Sequence, residues 1–365
     1  MLFRIVLHVD DIQTLYKIRN YLGVGTVRTS PAGYSCIYSI GKLQDLANIL
    51  LPLLDKYTLL TTKYAGGDYL DFKKVVNLLL RNKSSSSQTL ESDITIVKDI
   101  ITQMNSGRTI YNYSLIPSLT INPFWLLGFI EAEGTASGGF KNLIPYFQLG
   151  QHSRNLIVLE NIINYLISLP KGFVFSRFKT TLKLSNTFHK STNVNVIALS
   201  NIDALHDYLT PFLLTMSFQT RKGIDFVYWS LALNLHKFGY FYVPEGRSLV
   251  KNISNSINTA RYSNKKTSAI LPSLETINNV LSLDLPIKLT PDMNHLILSQ
   301  TFAKLVTSRQ VWVYDNGKLV IGSPFTSYAK AQLAIGIPKY SVAIRRNIDT
   351  GKLYLKRYSF YSNKQ

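Results

Sequence analysis

Cysteine is almost absent: Cys36 stands alone in 365 residues, which excludes a disulfide framework and any cysteine-based zinc site and fits a reducing interior compartment. The lone thiol reads as core. Long apolar runs are missing too; Phe226 to Leu235 is far short of the roughly 20 residues a spanning helix needs, so no membrane partner is expected. Met1 to Leu7 enters strand-like alternation directly, without a signal-peptide core or an Arg- and Ser-rich presequence, which predicts a protein that is not imported. Acidic residues are scarce: 21 Asp and Glu face 40 Lys and Arg, a formal charge of +19. Such a field attracts polyanions and speeds their capture, which makes nucleic acid the leading partner.

What is abundant is apolar material. At 46% hydrophobic residues the chain has enough for the cores of two or three domains. The 22 Tyr, 18 Phe, many Ile and Asn, and the excess of Lys over Arg match proteins encoded by AT-rich genomes, whether organellar, nuclear or bacterial.

Two segments repeat. Phe3-Arg-Ile-Val-Leu-His8, then Leu15, Ile18, Tyr21 and Leu22, match Phe147-Gln-Leu-Gly-Gln-His152, then Leu159, Ile162, Tyr165 and Leu166, at an offset of 147 − 3 = 144. Each copy reads as a short alternating strand followed by an amphipathic helix. Further on, Leu51-Pro-Leu-Leu54, Thr61, Lys63 and Asp71-Phe72 echo Leu209-Thr-Pro-Phe212, Thr220, Lys222 and Asp225-Phe226, and the offset at the lysines has grown to 222 − 63 = 159. Both copies thus read as strand, helix, strands, helix, basic turn and helix, differing mainly by loop insertions. His8 and His152 occupy matching strand-to-helix junctions, where a repeated His caps or packs more often than it binds metal. Ser84 to Gln88 reads as a flexible linker opening into a helix near Leu90 to Gln103.

Asn122 to Gly134 carries the chemistry. Asn122 is an N-cap, Pro123 suits the first turn and Gly134 suits C′. Gly128 and Ala132 lie four apart, a spacing that predicts close packing on a second helix. Glu133 sits in the last turn, where the macrodipole disfavours an anion, and such broken local rules concentrate at functional sites.

The run Leu126-Leu-Gly-Phe-Ile-Glu-Ala-Glu-Gly134, within a signature spanning Phe124 to Gly139, resembles the motif of the LAGLIDADG homing-endonuclease and intron-maturase family. The resemblance implies an α+β fold of two pseudo-symmetric αββαββα repeats, the first lacking its N-terminal motif helix, whose strands form a saddle along the DNA major groove. It implies that Glu133 is the metal-binding acid, with Glu131 a neutral flank, and that Mg²⁺ is the cofactor. Lys222 matches the family's basic residue near the active centre and Lys63 is its counterpart; a solvated basic turn accounts for either equally. Gln151 resembles the residue that positions solvent, or is a plain sheet-face Gln. Val174 to Leu184 alternates so that Arg177, Lys179 and Lys183 would read bases or phosphates.

A tail follows. Val311 to Val320 reads as a hairpin turning at Asn316-Gly317, and Phe325 to Ile337 and Ser341 to Lys352 as two helices. It resembles the modular DNA-binding domains found behind homing nucleases, which would put Arg345, Arg346 and Lys352 on DNA. The expected division is an incomplete first repeat at 1–80, a linker with a helix at 81–121, a second repeat at 122–250, an unassigned stretch at 251–305 and a modular DNA-binding domain at 306–365. The expected activity is a metal-dependent double-strand cut at a long DNA site that promotes intron mobility, by a monomer of two repeats encoded in an organelle, the mitochondrion ahead of the chloroplast. The alternatives are a maturase that binds its own group I intron RNA and a cleavage-defective relic, because a two-motif nuclease wants two motif carboxylates and this sequence has one. The other motif would lie upstream, come from another chain, or be lost.

Overall fold

The computed structural model describes residues 1–82, 87–105, 108–116, 119–133, 139–169, 185–189, 192–257, 270–290, 293–307 and 310–365. The chain forms two compact units, Met1–Asn234 with Val250–Pro272, and Leu235–Leu249 with Ser273–Gln365.

The first unit contains both repeats. Repeat one runs β1 (Phe3–His8), helix Ile12–Leu22, β2 (Thr26–Thr29), β3 (Ser35–Ile40), a helical run from Leu43 to Lys56, and helices Thr62–Ala65 and Asp68–Asn82. Repeat two runs β4 (Gly139–Lys141), β5 (Ile144–His152), helix Leu156–Ser168, β6 (Ser185–His189), β7 (Val194–Leu199), a helical run from Ile202 to Leu214, and helix Lys222–Lys237. Their antiparallel sheets have the orders β1-β3-β2 and β4-β5-β7-β6. The registers coincide: Phe3 faces Ile40 and Phe147 faces Leu199, while Thr26 faces Ser39 and Ser185 faces Ala198. The two offsets are therefore structural, 144 up to the first helix and 159 from β2 onward. The difference, 159 − 144 = 15 residues, is inserted between Leu166 and β6. Arg177, Lys179 and Lys183 fall in that stretch, outside the described residues.

Even an irregularity repeats. Each helical run widens into a π turn, at Leu46–Leu50 and at Leu205–Leu209, just ahead of Pro52 and Pro211. A helical proline lacks an N–H and collides with the carbonyl four residues back, so the turn before it loosens. After the basic turn the copies diverge. Repeat one breaks its helix at Gly66 and Gly67, the latter at φ +86°, whereas repeat two continues unbroken from Lys222, which moves the Asp-Phe correspondence to 225 − 71 = 154.

Alternation fills the core. β3 buries Cys36, Tyr38 and Ile40 and turns Ser35, Ile37 and Ser39 outward. Leu15, Leu46, Leu50, Leu51, Tyr69 and Val76 complete the first repeat's core. The Cys36 thiol, raised above its ordinary pKa by burial and then by Asp11, donates to the His8 carbonyl at 3.2 Å; it is a packing residue. His8 and His152 are caps, each accepting through Nδ1 the backbone N–H two residues on, at 3.2 Å.

In the second unit Asn316 (φ 45°) and Gly317 (φ 78°) form the expected turn between β8 (Trp312–Asp315) and β9 (Lys318–Leu319), and β10 (Tyr358–Tyr361) pairs with β8. The tail helices, Tyr328–Ala334 and Ala343–Asn347, are shorter than their sequence suggested. Ser327 caps the first and Gly336 (φ 72°) ends it; the second ends where Ile348 turns extended (ψ 133°), ahead of Asp349 (φ 59°). Val311, Val313, Ala331, Ile344 and Phe360 form a small core within the tail. No helix among the described residues is long and apolar enough to cross a membrane.

Between the repeats, residues 108–116 bind the second repeat through Tyr113, whose hydroxyl shares its one proton between Asn155 Oδ1 at 2.6 Å and the Arg154 carbonyl at 2.7 Å. Burial pushes the Tyr113 pKa up to about 12, so the donor stays protonated at neutral pH. Asn155 also accepts from Thr62 N–H at 2.9 Å and donates to Gln151 Oε1 at 2.8 Å. Asn155→Ala removes the hydrogen bonds to Thr62, Tyr113 and Gln151, and thermal unfolding is expected to show a loss of about 1.5–4.5 kcal/mol at a net 0.5–1.5 kcal/mol per bond; an unchanged melting temperature would remove Asn155 from the repeat interface.

Candidate functional site

The motif helix spans Pro123–Glu133. Asn122 caps it as its sequence predicts, Oδ1 accepting from Trp125 N–H at 2.9 Å. Leu126, Leu127, Phe129 and Ile130 are buried, and the Trp125 and Phe129 rings stack at 4.9 Å. The opposite face differs from expectation. Phe124 is 79% exposed, Gly128 and Ala132 are exposed, and nothing described lies within 4 Å of where a β-carbon on Gly128 would stand. The small-residue stripe is unpartnered among the described residues.

The helix end is built with the loop leading to Lys222. Glu131 is not the neutral flank its position suggested. Its Oε1 accepts from Gln219 N–H and Thr220 N–H, both at 2.7 Å, and from the Thr220 hydroxyl at 2.9 Å. With the loop so fixed, Lys222 Nζ donates to the Ile130 carbonyl at 3.3 Å. That carbonyl is one of the four a helix leaves unpaired at its C-terminus, where a cation is favoured by the macrodipole. Lys222 thus stands at the end of the helix that closes on Glu133.

The same loop ties this site to repeat one. Arg221 N–H donates to Asp11 Oδ1 at 2.8 Å, and its guanidinium reaches Asp10 Oδ2 and His8 Nδ1, both at 2.7 Å. Thr14 donates to the Gln219 carbonyl at 2.6 Å and Lys17 to its side chain at 3.1 Å. Applying 144 to Asp11 gives Asn155, and subtracting 159 from Arg221 gives Thr62: these are the pair already met in the Thr62 N–H bond to Asn155, so the two contacts are related by a pseudo-two-fold.

The lysines differ. Lys63 donates to Asn105 Oδ1 at 2.6 Å and pairs with Asp68 at 3.3 Å. Arg108 crosses the same helix start, ion-paired with Asp68 and Asp71. Gln151, 9% exposed, lies on the core side of β5 with its carbonyl held by Asn155. Among the described residues no three His, Cys, Asp or Glu side chains converge as a metal cluster.

Residues that sequence inspection passed over lie on the outward sheet faces. Arg4 and Arg28 are exposed; Arg4 and Thr26 flank Ser39 across the sheet, and the Thr26 and Ser39 hydroxyls meet at 3.2 Å. The alternation Phe3-Arg4-Ile5 held that signal, at a period of two. On repeat two, Phe140, Lys141, Tyr146, Gln148 and Ala198 line an outward concavity of about 640 Å³. In the second unit Arg345, Arg346 and Lys352 are exposed, the arginines in the last turn of Ala343–Asn347.

With this geometry in view, the similarities to known proteins are specific. A model of the LAGLIDADG endonuclease family matches residues 1–76. An uncharacterized mitochondrial protein of Saccharomyces cerevisiae is 27% identical over 96% of this chain and 74% of its own length. A probable intron-encoded endonuclease of Neurospora crassa is 23% identical over 70% of the chain, which spans only 57% of that protein. Two solved structures share the fold: the LAGLIDADG homing endonuclease I-GzeII in complex with its DNA target (TM-score 0.59, 23% identity, 71% of this chain and 89% of that one), and the meganuclease I-SmaMI bound to uncleaveable DNA (TM-score 0.57, 24% identity, 71% and 88%). The family match falls on the first repeat, residues 1–76, and the second repeat, which carries the motif helix, shares its register and its reciprocal contacts, so both repeats are similar to the LAGLIDADG endonuclease family.

Proposed function

We propose that this protein is a mitochondrial, intron-encoded homing endonuclease that makes a Mg²⁺-dependent double-strand cut at a long DNA site and so promotes intron mobility. The observation that carries this reading is Lys222 Nζ held 3.3 Å from the Ile130 carbonyl, at the end of the helix that terminates in Glu133. A carboxylate and an ammonium at one helix end suit phosphodiester hydrolysis. Glu133 would hold a divalent ion through a hard anionic oxygen. Bound there, Mg²⁺ polarises the scissile phosphate and lowers the pKa of water. I-SmaMI has been solved on uncleaved DNA in the presence of calcium ions, which supports a divalent site in the relative.

The chain's own groups do the rest. Lys222 stabilises charge developing on the phosphate. Glu131, acting through the Gln219–Thr220 loop, holds Lys222 in place. Gln151 and Lys63, held by Asn155 and by Asp68 and Asn105, frame the site rather than meet solvent or phosphate. The exposed Phe124–Gly128–Ala132 face, beside a cavity of about 490 Å³ bordered by Tyr57, Leu60 and Trp125, seats the second motif helix and with it a second carboxylate. DNA is gripped by the outward sheet faces, by Arg177, Lys179 and Lys183, and by Arg345, Arg346 and Lys352 of the second unit.

Incubation with Mg²⁺ and plasmids carrying intronless mitochondrial genes is expected to yield linear product at one site. Glu133→Gln should abolish cutting, and Lys222→Met should slow it by about a hundredfold to a thousandfold, as loss of one charge-stabilising group does elsewhere. Full cutting by Glu133→Gln removes that residue from the metal site. No cutting together with tight binding of a group I intron RNA would establish the maturase reading instead.

Glu131→Gln separates positioning from chemistry. The cleavage rate on bound DNA should fall about tenfold with DNA affinity unchanged, while amide exchange at Gln219 and Thr220 accelerates. Unaltered exchange would show that Glu131 does not hold the loop.

A further inference from the structure

The pseudo-two-fold that joins the repeats makes each outward position of β1 comparable with one of β5. Three pairs arise at the offset of 144. His8 and His152 are identical and serve as caps. Val6 stands against Gly150, neither with a polar side-chain atom. Arg4 stands against Gln148, and this pair alone sets two different planar, multiply hydrogen-bonding side chains at equivalent places.

The rows around them agree. Arg4 lies in the row Arg4–Ser39–Thr26. Gln148 lies in the row Gln148–Ala198–Ser185. The steps are 148 − 4 = 144, 198 − 39 = 159 and 185 − 26 = 159, so each row occupies the same register in its own sheet. Arg4 is exposed, and Gln148 borders the 640 Å³ concavity on the outward face. Neither side chain belongs to a core, and the backbone beneath each is fixed by pairing to a central strand.

We propose that Arg4 and Gln148 are symmetry-related specificity determinants that make this protein read an imperfect palindrome, guanine in the half-site under repeat one and adenine at the equivalent position under repeat two. The inference rests on the DNA-binding reading above. In the major groove the arginine fork donates to both O6 and N7 of guanine, whereas a glutamine amide donates to N7 and accepts from N6 of adenine. A two-fold protein presents its halves to inverted half-sites. Replacing arginine by glutamine at one of two equivalent positions therefore breaks the symmetry of the target there and sets the orientation of the protein on it.

The test is selection of bound duplexes from a randomised library by the full chain, with Ca²⁺ in place of Mg²⁺, followed by relative binding of the four bases at each enriched position. The wild type is expected to enrich a site with guanine and adenine at one symmetry-related pair of positions. Arg4→Gln should convert the guanine to adenine, Gln148→Arg the adenine to guanine, and the double exchange should reverse the site, each base preference changing by about tenfold to a hundredfold. Arg4→Ala should erase preference at its position alone. An enriched site whose preferences survive these exchanges, with affinity falling equally for all sequences, places Arg4 on phosphate and overturns the proposal. Failure of the wild type to enrich any sequence overturns the DNA-binding reading and the proposal with it. Matching thermal unfolding of the variants separates either result from misfolding.

Discussion

One hydrogen bond, made twice, organises the catalytic unit. At the head of each repeat's first long helix an aspartate or asparagine, Asp11 or Asn155, accepts the backbone N–H of the basic turn in the other repeat, from Arg221 or Thr62. A buried backbone donor must find an acceptor, so each repeat completes itself only by lending a side chain to its partner. An interface of that form is isologous, the property a two-fold oligomer has by necessity and a tandem repeat retains only if both copies keep the residues. The lysines Lys63 and Lys222 follow these loops directly, so the positions of the two basic residues depend on the bond.

The two ends of this interface are nevertheless chemically unequal. On the Asp11 side the contact is ionic: Arg221, 11% exposed, lies against Asp10 and Asp11. On the Asn155 side it is neutral and runs through Gln151 and Tyr113. Buried ion pairs add less to net stability than to conformational uniqueness, because desolvation offsets most of the Coulombic gain. The ionic end is also the end where Glu131 holds the loop and Lys222 meets the motif helix. Specificity of geometry is thus greatest where a charged side chain must be aimed.

Much of this was legible in the sequence. Strand and helix periodicities gave the order of both repeats, and the match from Phe3 to His8 against Phe147 to His152 gave their equivalence down to the strand register. Asn122 and Pro123 marked the start of the motif helix, and Asn316-Gly317 the tail turn. What escaped was of one physical kind. Glu131, Asp11, Asn155 and Arg221 act across separations of 88 to 210 residues, and local patterning carries no information on such contacts. The tail helices came out too long because Ile348, extended at ψ 133°, leaves the second helix where composition alone permits it to continue, and Asp349 follows at positive φ.

The distribution of charge follows from the same interface. An excess of +19 invites the view that all the cations face nucleic acid, yet several of the best placed are spent internally. Arg108 is engaged by Asp68 and Asp71, Arg221 by Asp10 and Asp11, and Lys63 by Asp68 and Asn105. These groups fix the linker and the loops; they add to the long-range field that attracts a polyanion but have limited freedom to follow its backbone. Among the described residues, exposed cations stand on rigid strands, Arg4 and Arg28, and at a short helix end, Arg345 and Arg346. Strand positions hold a side chain at a fixed height and spacing above a groove, which is what discrimination between bases requires, whereas attraction to phosphate tolerates disorder. Internal cations therefore set the frame that holds the outward cations of the strands at fixed positions.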